Sequence, residues 1–158
     1  MKSILLGLSL LLASSAALAL DKPMPGDQAP SIDARRLDGN PLSLADYRGQ
    51  PVSLVFLDSL CPMPHFPQCA QKIARANQLA AANPEHPWIG VVKGFYVDEA
   101  YVRDFAERFK LNFPLVWDKD NKIFSDYQVY GTPYQVWLDP QGRLSYRGER
   151  IEPLHALH

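Results

Sequence analysis

Residues 52–69 read Val-Ser-Leu-Val-Phe-Leu-Asp-Ser-Leu-Cys-Pro-Met-Pro-His-Phe-Pro-Gln-Cys, and this stretch decides the fold that we predict. Its first six residues, Val52 to Leu57, form a nearly unbroken apolar run, which is typical of a central strand covered on both faces. Apolar residues recur at helical spacing from Cys69 to about Asn83, which predicts a helix there. The strand-to-helix loop therefore carries Cys61 and Cys69 at the carboxyl end of a sheet, where ligands bind in α/β folds.

The rest of the chain continues the alternation of strands and helices. Asp98 is predicted to cap a second helix, with its inner face formed by Tyr101, Val102, Phe105 and Phe109. Together these patterns predict a three-layer α/β fold with a mixed central sheet flanked by helices. The other predicted elements are a hairpin of Ser31–Leu37 with Leu42–Leu44, strands at 88–92, 115–117, 134–138 and 144–147, and a short helix at 122–128.

Composition limits the classes of function. The 158 residues carry 16 basic and 17 acidic side chains, and this near-neutral balance argues against nucleic acid as a partner. The hydrophobic fraction of 47% is ordinary for a globular protein. Two cysteines are too few for a disulfide scaffold or a four-cysteine zinc site, but they suffice for one bridge or one redox pair.

The amino-terminal residues, Met1 to Ala19, have the pattern of a secretory signal peptide. Lys2 precedes a short apolar run, and Ala17-Leu18-Ala19 matches an A-x-A cleavage site, so we predict cleavage after Ala19. An uncleaved anchor is the alternative. Residues 20–158 would then form a single domain, with no later membrane segment, in the periplasm or outside the cell, where disulfides form.

The cysteine loop admits three interpretations. In the first, the pair cycles between dithiol and disulfide, because the amino terminus of a helix stabilises a thiolate. In the second, it is a fixed bridge, whose nine-residue loop would contribute roughly 2.6 kcal/mol to stability in the chain-entropy model. In the third, Cys61, Met63, His65 and Cys69 bind Cu(I), which favours sulfur ligands. An extended segment would point residues 61, 63 and 65 to one side.

Several other side chains have two possible roles. Asp58 can accept a proton from the thiols or cap the helix that follows. His65 can act as an acid or base near the thiols, or simply be an exposed loop residue. The three tryptophans are predicted to lie in the core, and three charged residues near the end of the chain are predicted to be solvated. The tryptophans are Trp88, Trp117 and Trp137, and the charged residues are Arg147, Glu149 and Arg150.

Five short motifs, in order, resemble those of the thioredoxin-like superfamily, in its extracytoplasmic redoxin branch. They are Gly26–Pro30, Leu37–Gly39, Leu42–Val52, Gly131–Pro133 and Asp139–Arg143. The resemblance implies a thioredoxin-like fold and a thiol–disulfide oxidoreductase that needs no bound cofactor and exchanges electrons with protein thiols. It also implies a cis peptide bond before Pro133, with the backbone of Thr132 facing the cysteines and available to an extended substrate.

The active-site segment departs from the W-C-x-x-C of these oxidoreductases. Leu60 replaces the tryptophan, and residues 63–67 look like a five-residue insertion that produces C-x7-C. We expect Cys61 to attack, because it follows the strand and should be the more exposed, and Cys69 to resolve the mixed disulfide. A peroxiredoxin-like thiol peroxidase is a further alternative, although Asp58 and Leu54 stand where that branch has a hydroxyl residue and a proline.

Overall fold

A computed structural model of the chain describes residues 21–154, so the signal peptide predicted at residues 1–19 lies outside the described part. The strands are β1 (Asp33–Arg35), β2 (Pro41–Ser43), β3 (Val52–Leu57), β4 (Trp88–Lys93), β5 (Leu115–Asp118), β6 (Tyr134–Leu138) and β7 (Leu144–Gly148). The helices are α1 (Cys69–Ala82), α2 (Glu99–Arg108) and α3 (Lys122–Asp126), with one 3-10 turn at Leu44–Tyr47. Within residues 21–154, no helix is long and apolar enough to cross a bilayer.

Strand β3 lies at the centre of a five-stranded mixed sheet with the order β5-β4-β3-β6-β7. It pairs with β4 in parallel and with β6 in antiparallel orientation. Helices α1 and α2 cover one face, and the β1–β2 hairpin with α3 covers the other. This arrangement confirms the predicted three-layer α/β fold.

The two faces of β3 build two separate cores, which explains its unbroken apolar sequence. Leu54 and Phe56 pack toward the hairpin and α3, whereas Val55 and Leu57 pack toward α1 and α2. All six β3 residues are buried. Burying one such apolar side chain contributes about 1.5–3 kcal/mol, so β3 stabilises both layers at once.

Helix α2 begins as predicted, but one residue of its expected inner face is exposed. The Asp98 carboxylate accepts a hydrogen bond from the Tyr101 backbone N–H at 2.8 Å, which confirms the cap. Val102 and Phe105 are buried, whereas Tyr101 lies at the surface, with the Arg108 guanidinium 5.9 Å from its ring centroid. The prediction for Tyr101 was wrong because the buried stripe follows the spacing i, i+3, which starts at Val102.

Two of the three tryptophans lie in the core. Trp88 and Trp137 are buried, as predicted. Trp117 is only half-buried because β5 is an edge strand, and the Lys119 ammonium lies 6.0 Å from its ring centroid.

Arg147 is not a solvated charge, contrary to the sequence prediction. Its guanidinium donates hydrogen bonds to the carbonyl oxygens of Pro23, Tyr127 and Gln128 and to the Tyr134 hydroxyl. Tyr127 and Gln128 precede the loop at 129–133 and Tyr134 follows it, so one side chain from β7 holds both ends of that loop. A planar guanidinium with several N–H donors suits this task better than an ammonium group.

The segment after β7 is held against the sheet by Gln135. Its buried amide accepts a hydrogen bond from the Glu152 backbone N–H at 2.7 Å and donates to the Glu152 carbonyl at 3.2 Å. The same amide donates to the Ser53 hydroxyl at 2.8 Å, and Ile151 packs into the core beside α1 and α2. A buried polar side chain is therefore fully used in positioning this segment.

Removal of the Arg147 guanidinium should destabilise the protein. Arg147→Ala leaves three half-buried backbone carbonyls without their donor, so we expect the free energy of unfolding to fall by about 2–3 kcal/mol. Arg150→Ala is the matched control, because that side chain is 84% exposed and its contact with Glu152, at 3.5 Å, lies at the surface. Urea denaturation measures both variants. Equal stability of the two variants would contradict this account.

Asp118 should make stability depend on pH. Its buried carboxylate accepts a hydrogen bond from the Phe124 backbone N–H, but burial raises its pKa above the ordinary value of 3.8. The folded chain therefore binds this proton more tightly than the unfolded chain, and stability from this group rises as pH falls. We expect the unfolding free energy of the native protein, relative to Asp118→Asn, to increase from neutral pH down to about pH 3.8. A difference that shrinks on acidification in urea titrations would refute this.

Candidate active site

A disulfide bond joins Cys61 and Cys69 at the carboxyl end of β3. The S–S distance is 1.97 Å and the two Cα atoms lie 6.1 Å apart. Cys61 follows the last β3 residue, Leu57, by four positions, and Cys69 is the first residue of α1. The bond therefore connects the exit of the central strand to the start of the helix that covers it.

Both sulfur-bearing residues are buried. Cys61 is 2% exposed and Cys69 is 3% exposed, and both pack in the core formed with α1 and α2. The expectation that Cys61 is the more exposed cysteine was wrong, because the chain after β3 turns back over the end of the sheet: the Cys61 N–H donates to the Asp58 carbonyl at 3.2 Å. Exposure therefore does not distinguish the two thiols.

The segment between the cysteines is folded, not extended. The Phe66 N–H donates to the Met63 carbonyl at 2.9 Å, which makes a tight turn with His65 near its tip. An extended segment would have pointed residues 61, 63 and 65 to one side, but the chain turns here, and prolines at positions 62, 64 and 67 favour such turns. Met63 is half-buried, whereas His65 is exposed.

A surface groove of about 250 Å³ runs beside the disulfide. Cys69 lies along it, and Thr132 and Pro133 line it as well. The Thr132–Pro133 peptide bond is cis, as the family resemblance implied, and the Cys61–Pro62 bond is cis too, which the sequence analysis did not anticipate. The other lining residues are His65, Phe66, Pro67, Gln68, Lys72 and Glu149.

The sheet register explains why the groove forms there. Strand β6 runs antiparallel to β3, with Phe56 opposite Tyr134, so the start of β6 lies beside the end of β3. The residues just before β6, Thr132 and Pro133, are thereby brought to the cysteine loop. Residues separated by more than 60 positions in the sequence thus share one edge of the sheet.

Asp58 acts on the backbone of its own loop. Its carboxylate accepts a hydrogen bond from the Leu60 N–H at 2.9 Å. It does not cap α1, because the residue before that helix is Gln68 and no side chain caps it. The alternative of a helix cap was therefore wrong, while a role in proton transfer stays a prediction.

Two charged residues of the groove, Lys72 and Glu149, were not predicted as site residues from the sequence. Lys72 follows Cys69 by three positions, so the helical spacing places it one turn along α1 on the same side. Glu149 directly follows Gly148 of β7. Gly148 pairs with Gln135 of β6, which is two positions after Pro133. The strand pairing of β6 with β7 was the signal that could have identified Glu149.

Two of the four predicted copper ligands, Cys61 and Cys69, are oxidised in the structure. Both cysteine sulfurs are in the disulfide, and a disulfide does not offer the thiolates that Cu(I) prefers. Among residues 21–154, no three His, Cys, Asp or Glu side chains are grouped so that they could hold a metal ion. Copper binding by the reduced loop stays a prediction.

Comparison with known proteins identifies the family. Residues 25–147, which include the cysteine loop, the cis proline and most of β7, match the AhpC/TSA family. The chain belongs to this family. The match spans all seven strands except the last residue of β7, so it covers the whole sheet.

Relatives of this AhpC/TSA protein include secreted and redox proteins. Soluble secreted antigen MPT53 of Mycobacterium bovis is 26% identical over 125 residues, which cover 79% of this chain and 68% of that protein. Thiol-disulfide oxidoreductase ResA of Bacillus cereus is 26% identical over 124 residues, covering 78% and 69%.

Solved structures share the fold. A secreted Mycobacterium tuberculosis disulfide oxidoreductase homologous to E. coli DsbE superposes with a TM-score of 0.64 at 26% identity, covering 77% of this chain and 85% of that one. A thiol:disulfide interchange protein DsbE from Chlorobium tepidum reaches a TM-score of 0.71 at 22% identity, covering 83% and 89%. The latter likeness concerns the fold alone.

Two variants of Asp58 should separate its structural role from a chemical one. Asp58→Ala removes the acceptor for the half-buried Leu60 N–H, so we expect the unfolding free energy to fall by about 1–2 kcal/mol. Asp58→Asn keeps an oxygen acceptor and should lose less. Denaturant titration measures both, with reduction by dithiothreitol as a second readout. Unchanged stability in both variants, combined with slow reduction, would instead assign Asp58 to proton transfer.

Proposed function

We propose that this protein is a thiol–disulfide oxidoreductase that exchanges electrons with protein thiols through Cys61 and Cys69. The observation that carries this proposal is the Cys61–Cys69 disulfide between β3 and α1, next to a groove lined by the cis-proline segment. The names of ResA and of the secreted disulfide oxidoreductase support it, and the sequence alone led to the same function.

The exchange proceeds in two displacements. In the reduced protein, the Cys61 thiolate attacks one sulfur of a partner disulfide, and a bond between the two proteins forms as the partner's S–S bond breaks. The partner's departing thiolate takes up a proton. The Cys69 thiolate then attacks the Cys61 sulfur, which restores the internal disulfide and releases the second partner thiol. Two electrons pass to the partner, and the reverse sequence returns them.

The structure suggests why Cys61 attacks and Cys69 resolves. Cys69 belongs to α1, whose Ile73 and Ala76 are anchored in the core, so its sulfur stays in place when the bond opens. Cys61 lies in a loop without regular structure, so its sulfur can move toward a partner more easily than that of Cys69 once the disulfide is broken. The resolving attack also needs a thiolate at Cys69, and the dipole of the 14-residue helix that begins at this residue favours the thiolate form.

The groove gives an extended partner segment a place beside the disulfide. The backbone of Thr132 can pair with such a segment, in the manner of an added strand. The exposed ring of Phe66, which also lines the groove, offers the segment an apolar contact. Lys72 and Glu149 add one charge of each sign.

The site of action that fits this chemistry is outside the cytoplasm. A secreted relative and the predicted signal peptide at residues 1–19 support a periplasmic or secreted protein. A disulfide persists in such compartments without continuous reduction.

His65, exposed at the groove, is available for proton transfer to a leaving thiolate.

A redox titration tests the proposed function. The mature protein is equilibrated in dithiol/disulfide buffers, and its free thiols are alkylated and counted by mass. We expect a reversible midpoint between roughly −120 and −270 mV, the range of exchange catalysts. A midpoint reduction potential below about −300 mV would indicate a structural disulfide and would contradict the proposal.

Single-cysteine variants in the same assay assign the roles. Cys69→Ser should accumulate a mixed disulfide with a disulfide-bonded peptide, because the resolving thiol is gone. Cys61→Ser should accumulate much less. The reverse pattern would exchange the two roles while leaving the function intact. Sulfenic acid formation on treatment with peroxide would instead point to the thiol peroxidase alternative.

A further inference from the structure

Exposed aromatic side chains cluster at the edge of the sheet that carries the disulfide. Six large apolar or aromatic side chains are exposed among residues 21–154, and Phe66 of the groove is one of them. Three others, Phe95, Tyr96 and Tyr130, form what we call the aromatic surface. Large exposed apolar surfaces on soluble proteins mark sites of interaction.

Strand order places the aromatic surface beside the cysteine loop. Phe95 and Tyr96 follow β4, which runs parallel to β3, so they leave the sheet at the edge where Cys61 does. Tyr130 precedes β6, whose first residue pairs with Phe56 near the end of β3. Tyr130 is also only two positions from Thr132 in the wall of the groove. The aromatic surface and the exchange groove thus lie at the same edge of the sheet.

The loop that carries Phe95 and Tyr96 is held in place. The Gly94 N–H donates to the Asn121 side-chain oxygen at 2.9 Å, and a Cβ at Gly94 would lie 2.4 Å from the Asp118 carbonyl oxygen. Tyr96 has a φ of 64°, in the left-handed region, yet its side chain is 96% exposed. A bulky residue rarely adopts this conformation, and here the fold gains no buried surface from it.

An apolar cavity of about 220 Å³ opens between Phe95 and Tyr130. Phe124 and Val129, both nearly buried, also line it, and Lys93 lies at its side with its ammonium 5.5 Å from the Phe95 ring centroid. Such a cavity with aromatic walls suits one bulky apolar side chain of another protein. Contacts of this kind supply most of the affinity in protein interfaces.

We propose that the aromatic surface is a docking site for the protein that exchanges electrons at the disulfide. The partner places a bulky apolar side chain between Phe95 and Tyr130 while its cysteine lies in the groove. The partner is favoured over a second copy of this chain because the surface and the exchange groove share one edge of the sheet and are linked through the loop from Tyr130 to Thr132. This proposal rests on the proposed function and names how its partner is recognised.

Synthetic peptides test the docking site on the intact oxidised protein. Each peptide has one reduced cysteine and one phenylalanine placed three, five, seven or nine residues to either side, with matched peptides in which glycine replaces phenylalanine. We expect at least one spacing to speed reduction of Cys61–Cys69 by about fivefold or more over its glycine match. Tyr96→Ser and Tyr130→Ser should remove this advantage, and Tyr101→Ser, an exposed tyrosine on α2, should keep it.

Reduction by dithiothreitol separates the two proposals. It needs only the disulfide, so all three tyrosine variants should react as the native protein does. Equal peptide rates at every spacing, with normal reduction by dithiothreitol, would overturn the docking site alone. A dimer in sedimentation that Tyr96→Ser dissociates would assign the surface to a second copy and overturn it too. A midpoint in the structural range would remove the proposed function and the docking site with it.

Discussion

The pairing of β3 with a parallel strand on one side and an antiparallel strand on the other organises this protein. Because β3 is buried on both faces, it joins the two cores that its neighbours build. Its parallel partner β4 sends the chain out at the same edge, and its antiparallel partner β6 brings the chain in there. As a consequence of these two pairings, the cysteine loop, the cis proline and the loop that carries Phe95 and Tyr96 lie at one edge of the sheet.

Two polar side chains inside the sheet region then fix what the apolar layers leave free. Arg147 holds the chain on both sides of the loop at 129–133, and Gln135 holds the segment that follows β7. The amide of the buried Gln135 and the guanidinium of the half-buried Arg147 each make several hydrogen bonds, which is the condition under which polar groups are tolerated away from water. Their carbonyl and amide partners come from segments without regular structure, where apolar packing alone would not specify a single conformation.

Local patterns were sufficient to predict the sheet strands, helix α1 and the three-layer arrangement, because burial imposes a period on each element. The cis peptide bond before Pro133 was predicted from the family resemblance and not from a local pattern. The positions of Arg147 and Glu149 could not be predicted, because their surroundings are set by strand register and by residues as distant as Pro23. The turn at Met63 to Phe66 was not predicted, because prolines restrict φ in this segment without specifying where the chain reverses. Residue patterns therefore predict the helices and strands, but they do not predict which charged side chains line the groove.

The two ends of the cysteine loop are held by elements that pack in the core, strand β3 before it and helix α1 after it. Cys61 follows the end of β3, and Cys69 begins α1, so the loop returns to within 6.1 Å of where it started. Doubling the length of a closed flexible loop adds only about 0.6 kcal/mol of entropy. Insertions between the cysteines can accumulate during evolution while β3 and α1 stay unchanged. Cysteine spacing is thus a poor criterion for membership of this fold, and alignments of distant relatives are better anchored on β3 and on the first residue of the helix.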